Sequence, residues 1–163
     1  MTEQIIKFRQ IERGDNAYLA EIIRTVFVEY DAPRIGTVYS DPTTNALYEL
    51  FDRENAVLWV AEEKSKIIGC CGIYPTDGLE VDTVELVKFY LQSSSRGVGI
   101  GKKMFELSLA SAAEHGFKKI YIESLPHFSK AVLMYENYGF QRIPSALADS
   151  GHTSCNIWMI KDL

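Results

Sequence analysis

The stretch Ser93-Ser94-Ser95-Arg96-Gly97-Val98-Gly99-Ile100-Gly101-Lys102-Lys103 carries three glycines at alternate positions between a strand-like run and a helical one. Glycine lets a backbone turn tightly and come close to a ligand. The first amides of the helix that follows have no partners inside it and carry the positive end of its dipole, so they suit a phosphate or pyrophosphate. Arg96 adds positive charge at the rim. Two familiar phosphate loops fail on spacing. A nucleotide P-loop needs four residues between its first glycine and a Gly-Lys-Ser/Thr end, whereas three separate Gly97 from Gly101 and Lys103 replaces the hydroxyl. A dinucleotide fingerprint needs Gly-x-Gly-x-x-Gly early in a βαβ unit, and here the third interval is wrong and the loop follows a run of strands.

Working outward, residues 83–91 read as the strand that feeds this loop, and residues 101–115 as the helix that leaves it, with Gly116 where a helix-ending glycine belongs. Upstream, residues 56–62 and 67–74 form two more strand-like runs, so the three suggest an antiparallel meander. Before them stand a strand over residues 5–11 and a helix opened by Gly14-Asp15-Asn16 that runs to about residue 30. Leu19, Ile22, Ile23, Val26 and Phe27 supply its apolar stripe. An irregular segment over 31–43, rich in proline and turn-prone aspartate, then leads to a second helix around 44–53 and either covers a pocket or is an ordinary surface connection. Downstream come a strand at 118–123, a helix at 129–138, a short strand at 140–143 and a last strand at 154–161. The whole is an α/β (α+β) arrangement, a mixed and mostly antiparallel sheet flanked by helices, in one domain spanning residues 1–163.

A second motif lies in Ala131-Val132-Leu133-Met134-Tyr135-Glu136-Asn137-Tyr138-Gly139-Phe140, where a Tyr-Glu pair precedes Gly-Phe at the end of a helix. Together with Arg96, Gly99 and Gly101 as Arg-x-x-Gly-x-Gly, it resembles the GNAT N-acetyltransferases, most strongly from about residue 85 to 140. The resemblance implies acetyl-CoA as acyl-donor cosubstrate, no metal, and an amine acceptor that is a small molecule or a peptide. It also implies a splayed pair of parallel strands, with the pantetheine arm held between residues 89–91 and 122–125 much as an added strand would be. The cofactor-binding set it implies is Phe89, Tyr90 and Leu91 on the strand, then Arg96, Gly97, Val98, Gly99, Ile100, Gly101 and Lys102 around the pyrophosphate. Where many relatives carry asparagine in the next helix, this chain has Phe128, so that polar contact is absent or supplied by Ser129.

Direct transfer needs a neutral amine, a stabilised oxyanion and a proton for the leaving thiolate. Strand alternation puts Glu85 on the face of Val87, Phe89 and Leu91, where a carboxylate among apolar neighbours would gain proton affinity and could take a proton from the amine, directly or through water. The plainer alternative is a sheet-surface glutamate paired with Lys88 or Lys66, with Lys88 itself structural on the opposite face. Tyr135 matches the tyrosine that in many GNAT enzymes lies near the coenzyme sulfur as general acid; the alternative is a tyrosine that only packs its helix. Of the tyrosines and tryptophan at 30, 39, 48 and 59, core packing is the first expectation and an acceptor pocket the second. A noncatalytic acyl-CoA sensor would keep the glycine loop without needing Glu85 or Tyr135.

Composition narrows the remaining classes. The chain has 163 residues, 47% hydrophobic, with 17 basic and 22 acidic side chains and a net charge of -5. That length suits one core, and the acidic balance argues against nucleic acid as partner. No apolar run reaches the roughly 20 residues of a membrane span, and Met1 to Gln4 show no secretory pattern, so a cytoplasmic protein without membrane contact is expected. Cys70 and Cys71 are adjacent in a strand and point to opposite faces, which suits reduced thiols. His115, His127 and His152 sit at element ends without metal spacing. A homodimer through the last strand is compatible with such folds.

Overall fold

The computed structural model describes residues 5–163, and the reading of Met1 to Gln4 lies outside the described residues. Its elements are β1 (Ile6–Gln10), α1 (Asn16–Glu29), α2 (Leu47–Phe51), β2 (Val57–Glu63), β3 (Lys66–Tyr74), β4 (Thr83–Leu91), α3 (Ile100–Glu114), β5 (Lys119–Ser124), α4 (Ser129–Asn137), β6 (Gln141–Ile143) and β7 (Ile157–Asp162). The strands make a 7-stranded sheet in the order β1-β2-β3-β4-β5-β7-β6. Neighbours are antiparallel except β4 and β5, which run parallel.

Alternation along the strands feeds two cores, one on each face of the sheet. Met104, Phe105 and Ala112 of α3 pack on Val84, Leu86, Ile120 and Ile122. Across the sheet, Leu19, Ile23 and Phe27 of α1 join Leu47 and Phe51 of α2 over Leu58, Val60 and Cys70. Cys71 belongs to the first core and Cys70 to the second, as their adjacency in a strand requires. Burying each large side chain in these layers contributes about 1.5–3 kcal/mol. The entry to α1 is fixed by Arg9, which donates to Asp15 at 2.7 and 3.0 Å and to Glu62 at 2.9 Å, tying β1, β2 and the helix start together.

Three expectations are corrected. The helix expected over 44–53 is broken in two. Pro42–Asn45 form a 3₁₀ turn capped by the Asp41 carboxylate, Ala46 leaves helical geometry at φ -137°, and α2 starts only at Leu47. Proline at the turn's start and local side-chain bonding at Asp41 and Thr43 compete with a continuous helix. The last strand starts at Ile157 rather than 154, because Ser154 spends its amide on the Gly36 carbonyl at 3.0 Å and Cys155 closes a turn on His152. That strand lies between β5 and β6, with β6 paired to its residues 158–160.

The third correction concerns β4. Gly72 pairs with Val87 and Cys70 with Tyr90, so Lys88 and Phe89 together oppose Cys71 in a β-bulge. Lys88 takes φ 56°, a left-handed value uncommon for a side-chain-bearing residue, and the Cys70 thiol donates to its carbonyl at 3.0 Å. The extra residue shifts the strand's phase. Leu86, Phe89 and Leu91 face α3, while Val87 and Tyr90 face α1. Glu85 therefore shares a face with Val87 and Tyr90, not with Phe89 and Leu91.

Candidate active site

The loop after β4 is built for close approach from outside. Gly97 and Gly99 sit at φ 83° and 87°, and a Cβ at either would meet nothing within 4 Å, so backbone conformation and open space both single out glycine. Gly101 differs: a Cβ there would come within 3.3 Å of the Phe89 ring, so it sets how closely α3 lies on β4. No side chain caps α3, and its first internal bond runs from Lys103 to the Gly99 carbonyl. The amides of Ile100, Gly101 and Lys102 are thereby left for a ligand.

Beside this helix start the sheet opens. Parallel pairing of β4 with β5 covers only Thr83–Glu85 against Lys119–Tyr121, while β4 continues to Leu91 and β5 to Ser124. Past Glu85 the facing edges separate, and their backbone groups lose strand partners on that side. A cleft of about 410 Å³ occupies the gap, lined by 85–91, by Gly97, Gly99, Gly101 and Lys102, and by 122–125. Its walls continue through α1 with Val26, Phe27 and Tyr30, the 31–43 segment with Thr37 and Val38, and α4 with Met134 and Tyr135.

Glu85 lies where the two strands last pair. It is 5% exposed, and Thr76 donates to its carboxylate at 2.6 Å. Burial raises its pKa to about 8, helped by the negative charge of Glu123 and opposed by the Thr76 bond and Lys88. The surface pairing of Glu85 with Lys66 or Lys88 does not occur. Lys88, expected on the opposite face, is turned by the bulge into the same cleft, where burial lowers its proton affinity.

Tyr135 reaches the cleft from the other face of the sheet. Its ring packs on Phe89, Phe105 and Phe140. Its hydroxyl has no hydrogen-bond partner among the described residues yet is not sealed off, so it opens onto the cleft. Burial pushes its pKa up, which keeps the phenol protonated.

The remaining candidates divide. Phe89, Tyr90 and Leu91 line the slot, as do Gly97, Gly99, Gly101 and Lys102. Arg96 also lines it, but its guanidinium is engaged: it donates to Glu29 at 2.9 Å, to the Tyr30 hydroxyl at 2.9 Å and to the Leu91 carbonyl, clasping the loop to the end of α1. Val98 projects outward at 74% exposure and the Ile100 side chain enters the core, leaving both only backbone to offer. Ser129 lines a different depression, beside Val132 and Arg142, because it begins α4 on the side turned away from the slot. Phe128 packs edge-on against Phe27 and Tyr30, making an aromatic wall where a polar contact was considered. Of the four scattered aromatics only Tyr30 lines the cleft; Tyr39 packs on Phe27, Tyr48 lies under Arg13, and Trp59 donates to Ser111 beneath α3.

Sequence reasoning passed over Asp41, Glu123 and Cys155 and saw in His152 only a residue at an element end. His152 and Asp41 are 2.9 Å apart and join the 31–43 segment to the C-terminal segment, with His152 lining the cleft. Glu123 accepts from Tyr121 and Ser150. These partners come from distant parts of the chain, and no spacing announces them.

The sequence profile of the acetyltransferase (GNAT) family matches residues 20–140. The chain is 34% identical over 156 residues to the uncharacterized N-acetyltransferase YjgM of Escherichia coli K12, covering 95% of this chain and 93% of that one. Among solved structures, a GNAT-family acetyltransferase from Staphylococcus aureus Mu50 superposes with a TM-score of 0.81 at 20% identity, covering 98% of this chain and 99% of that one. The PaiA N-acetyltransferase of Thermoplasma acidophilum, solved in complex with coenzyme A, superposes with a TM-score of 0.74 at 18% identity, covering 98% and 100%.

Proposed function

Because the chain belongs to the GNAT acetyltransferase family and is an acetyl-CoA-dependent acyltransferase, we propose that it moves an acetyl group directly onto the primary amine of a small molecule or peptide. The observation that carries this reading is the parting of β4 from β5 beside an uncapped helix start. The open edge of β4 can pair with an amide-bearing pantetheine arm, and the amides from Gly97 to Lys102 suit its pyrophosphate. The fit extends to charge, since Lys102 and Lys130 line the cleft as well. The bound donor supplies an acetyl group activated as a thioester.

The chain's own residues then have distinct tasks. Glu85, at the floor of the splay on the α1 side, accepts the proton that the amine gives up as its nitrogen bonds to the acetyl carbon. Free amides on the open edge of β4 can hold the oxygen where negative charge develops. Tyr135, on the α3 side, holds a proton for the sulfur as the carbon–sulfur bond breaks. A thiolate forming beside Phe89 and the Tyr135 ring is itself poorly solvated, so burial that raises the phenol also raises the thiol it serves. The two proton-handling groups stand on opposite faces of the sheet and share one slot.

Acceptor-dependent release of free coenzyme A thiol, followed over polyamines, amino sugars, amino acids and peptides, tests the reaction. Tyr135→Phe is expected to reduce kcat by roughly 10²-fold, the low end of what a positioned proton donor supplies, while the affinity for acetyl-CoA stays within about twofold. An unchanged kcat would remove Tyr135 from the chemistry. We further propose that the chain works as a single domain in the cytoplasm, a setting that suits three unpaired cysteines.

A further inference from the structure

Lys88 has no part in the reaction above, yet the bulge in β4 carries it into the cleft. It is 8% exposed and lines the same cavity as Glu85. Among the described residues its ammonium makes neither a hydrogen bond nor an ion pair, and since no buried side-chain nitrogen is sealed without a partner, it opens onto the cavity. The acids near it make their contacts with other donors and act on it only through space. Asp41 accepts from His152 at 2.9 Å and from Thr43. Glu123 accepts from Tyr121 and Ser150, and Glu85 from Thr76. A buried cation without a contact partner is costly, and the cost falls when an anion arrives with a ligand.

We propose that Lys88 is the anion-binding group of the acceptor pocket, so that the acceptor is an amine bearing a carboxylate close to its amino group, as a free amino acid does. The inference rests on the acetyl-transfer reading and deepens it. Glu85 and Lys88 present one acid and one base to the same cavity, matching the amine and carboxylate of such an acceptor. Val26, Phe27 and Val38 on the neighbouring wall favour an apolar side chain. A polyamine would instead bring a second cation against Lys88.

The test compares phenylalanine with phenethylamine, and leucine with isopentylamine, as acceptors at saturating acetyl-CoA. In the wild type each acid should exceed its matched amine at least tenfold in kcat/KM, with the difference in KM, as the loss of a charge-assisted bond implies. In Lys88→Met that ratio should fall to within about twofold, while acetyl-CoA affinity within twofold of wild type shows the fold and the cofactor end intact. Equal use of acid and amine by the wild type, or a ratio that survives the substitution, overturns the proposal. Titration of N-acetylphenylalanine against N-acetylphenethylamine, with and without coenzyme A, reads the contact without turnover. A tenfold preference for the acid that Lys88→Met removes supports it; equal binding overturns it. Absent turnover with that preference intact would count against acetyl transfer and not against Lys88.

Discussion

Glu85→Gln is expected to lower kcat by roughly 10²–10⁴, the span over which a positioned general base acts, and to make the protein more stable above neutral pH. Both effects follow from one burial. The wild-type carboxyl keeps its proton up to about pH 8, against an ordinary value of 4.5. As a base it must be ionised, so kcat/KM should climb with pH through about 8 from Glu85 in addition to the rise from the acceptor amine, and in the variant only the ionisation of the acceptor amine should remain. The stability effect has a definite sign. Between pH 4.5 and 8 the unfolded chain releases this proton and the native state retains it, so the native state binds more protons and loses stability as pH rises. Glutamine carries no such penalty. The stability gap between variant and wild type, seen as a difference in Tm, should be small at pH 4.5, widen up to pH 8 and then stay constant, reaching in free energy a few kcal/mol, on the order of 1.4 kcal/mol per pH unit. Thermal melts from pH 4.5 to 9 and initial rates over the same range check both. A gap that opens with kcat lowered less than threefold would leave Glu85 buried but idle; no gap would defeat the burial argument itself.

Gly99→Asp is expected to weaken acetyl-CoA binding about 100-fold with little loss of fold. At φ 87° an aspartate is among the more tolerated side chains, with a strain cost of about 1–3 kcal/mol. Among the described residues, its own chain neighbours aside, no atom lies within 4 Å to clash with its Cβ. Its carboxylate would stand at the positive end of α3, competing for the amides that otherwise meet the pyrophosphate and repelling that group. Titration calorimetry with coenzyme A and a melt of the free protein separate the two effects. Affinity within threefold of wild type would mean the pyrophosphate is held elsewhere.

Sheet, helices and glycine loop were legible in the sequence because each depends on local pattern: period-two runs such as 83–91, the stripe from Leu19 to Phe27, and glycines at loop positions. Boundaries failed where tertiary bonds compete with local preference. Ser154 is drawn off β7 by Gly36, and Asp41 with Pro42 breaks the second helix. Within the site, Glu85 and Tyr135 were legible from type and motif, though the face of Glu85 was misread because a bulge leaves no mark in an apolar run. One signal was present: Lys88 is a lone cation in Thr-Val-Glu-Leu-Val-Lys-Phe-Tyr-Leu, a strand otherwise buried for most of its length. The contact of His152 with Asp41 spans 111 positions and could come only from the fold.

The bulge also makes strand length, not just composition, a determinant of chemistry. Removing Lys88 would set Phe89 alone opposite Cys71 and leave Val87, Phe89, Tyr90 and Leu91 alternating on the faces they already occupy, in the same register with β3. The aromatic lining of the slot would survive and only Lys88 would be gone from the cleft. Flattening the bulge with Lys88 retained does the opposite: Phe89 and Leu91 would turn toward α1 and Tyr90 toward the layer of Phe105. In this part of the molecule, counting residues governs which groups meet the substrate, because the strand carries one residue more than its neighbour requires.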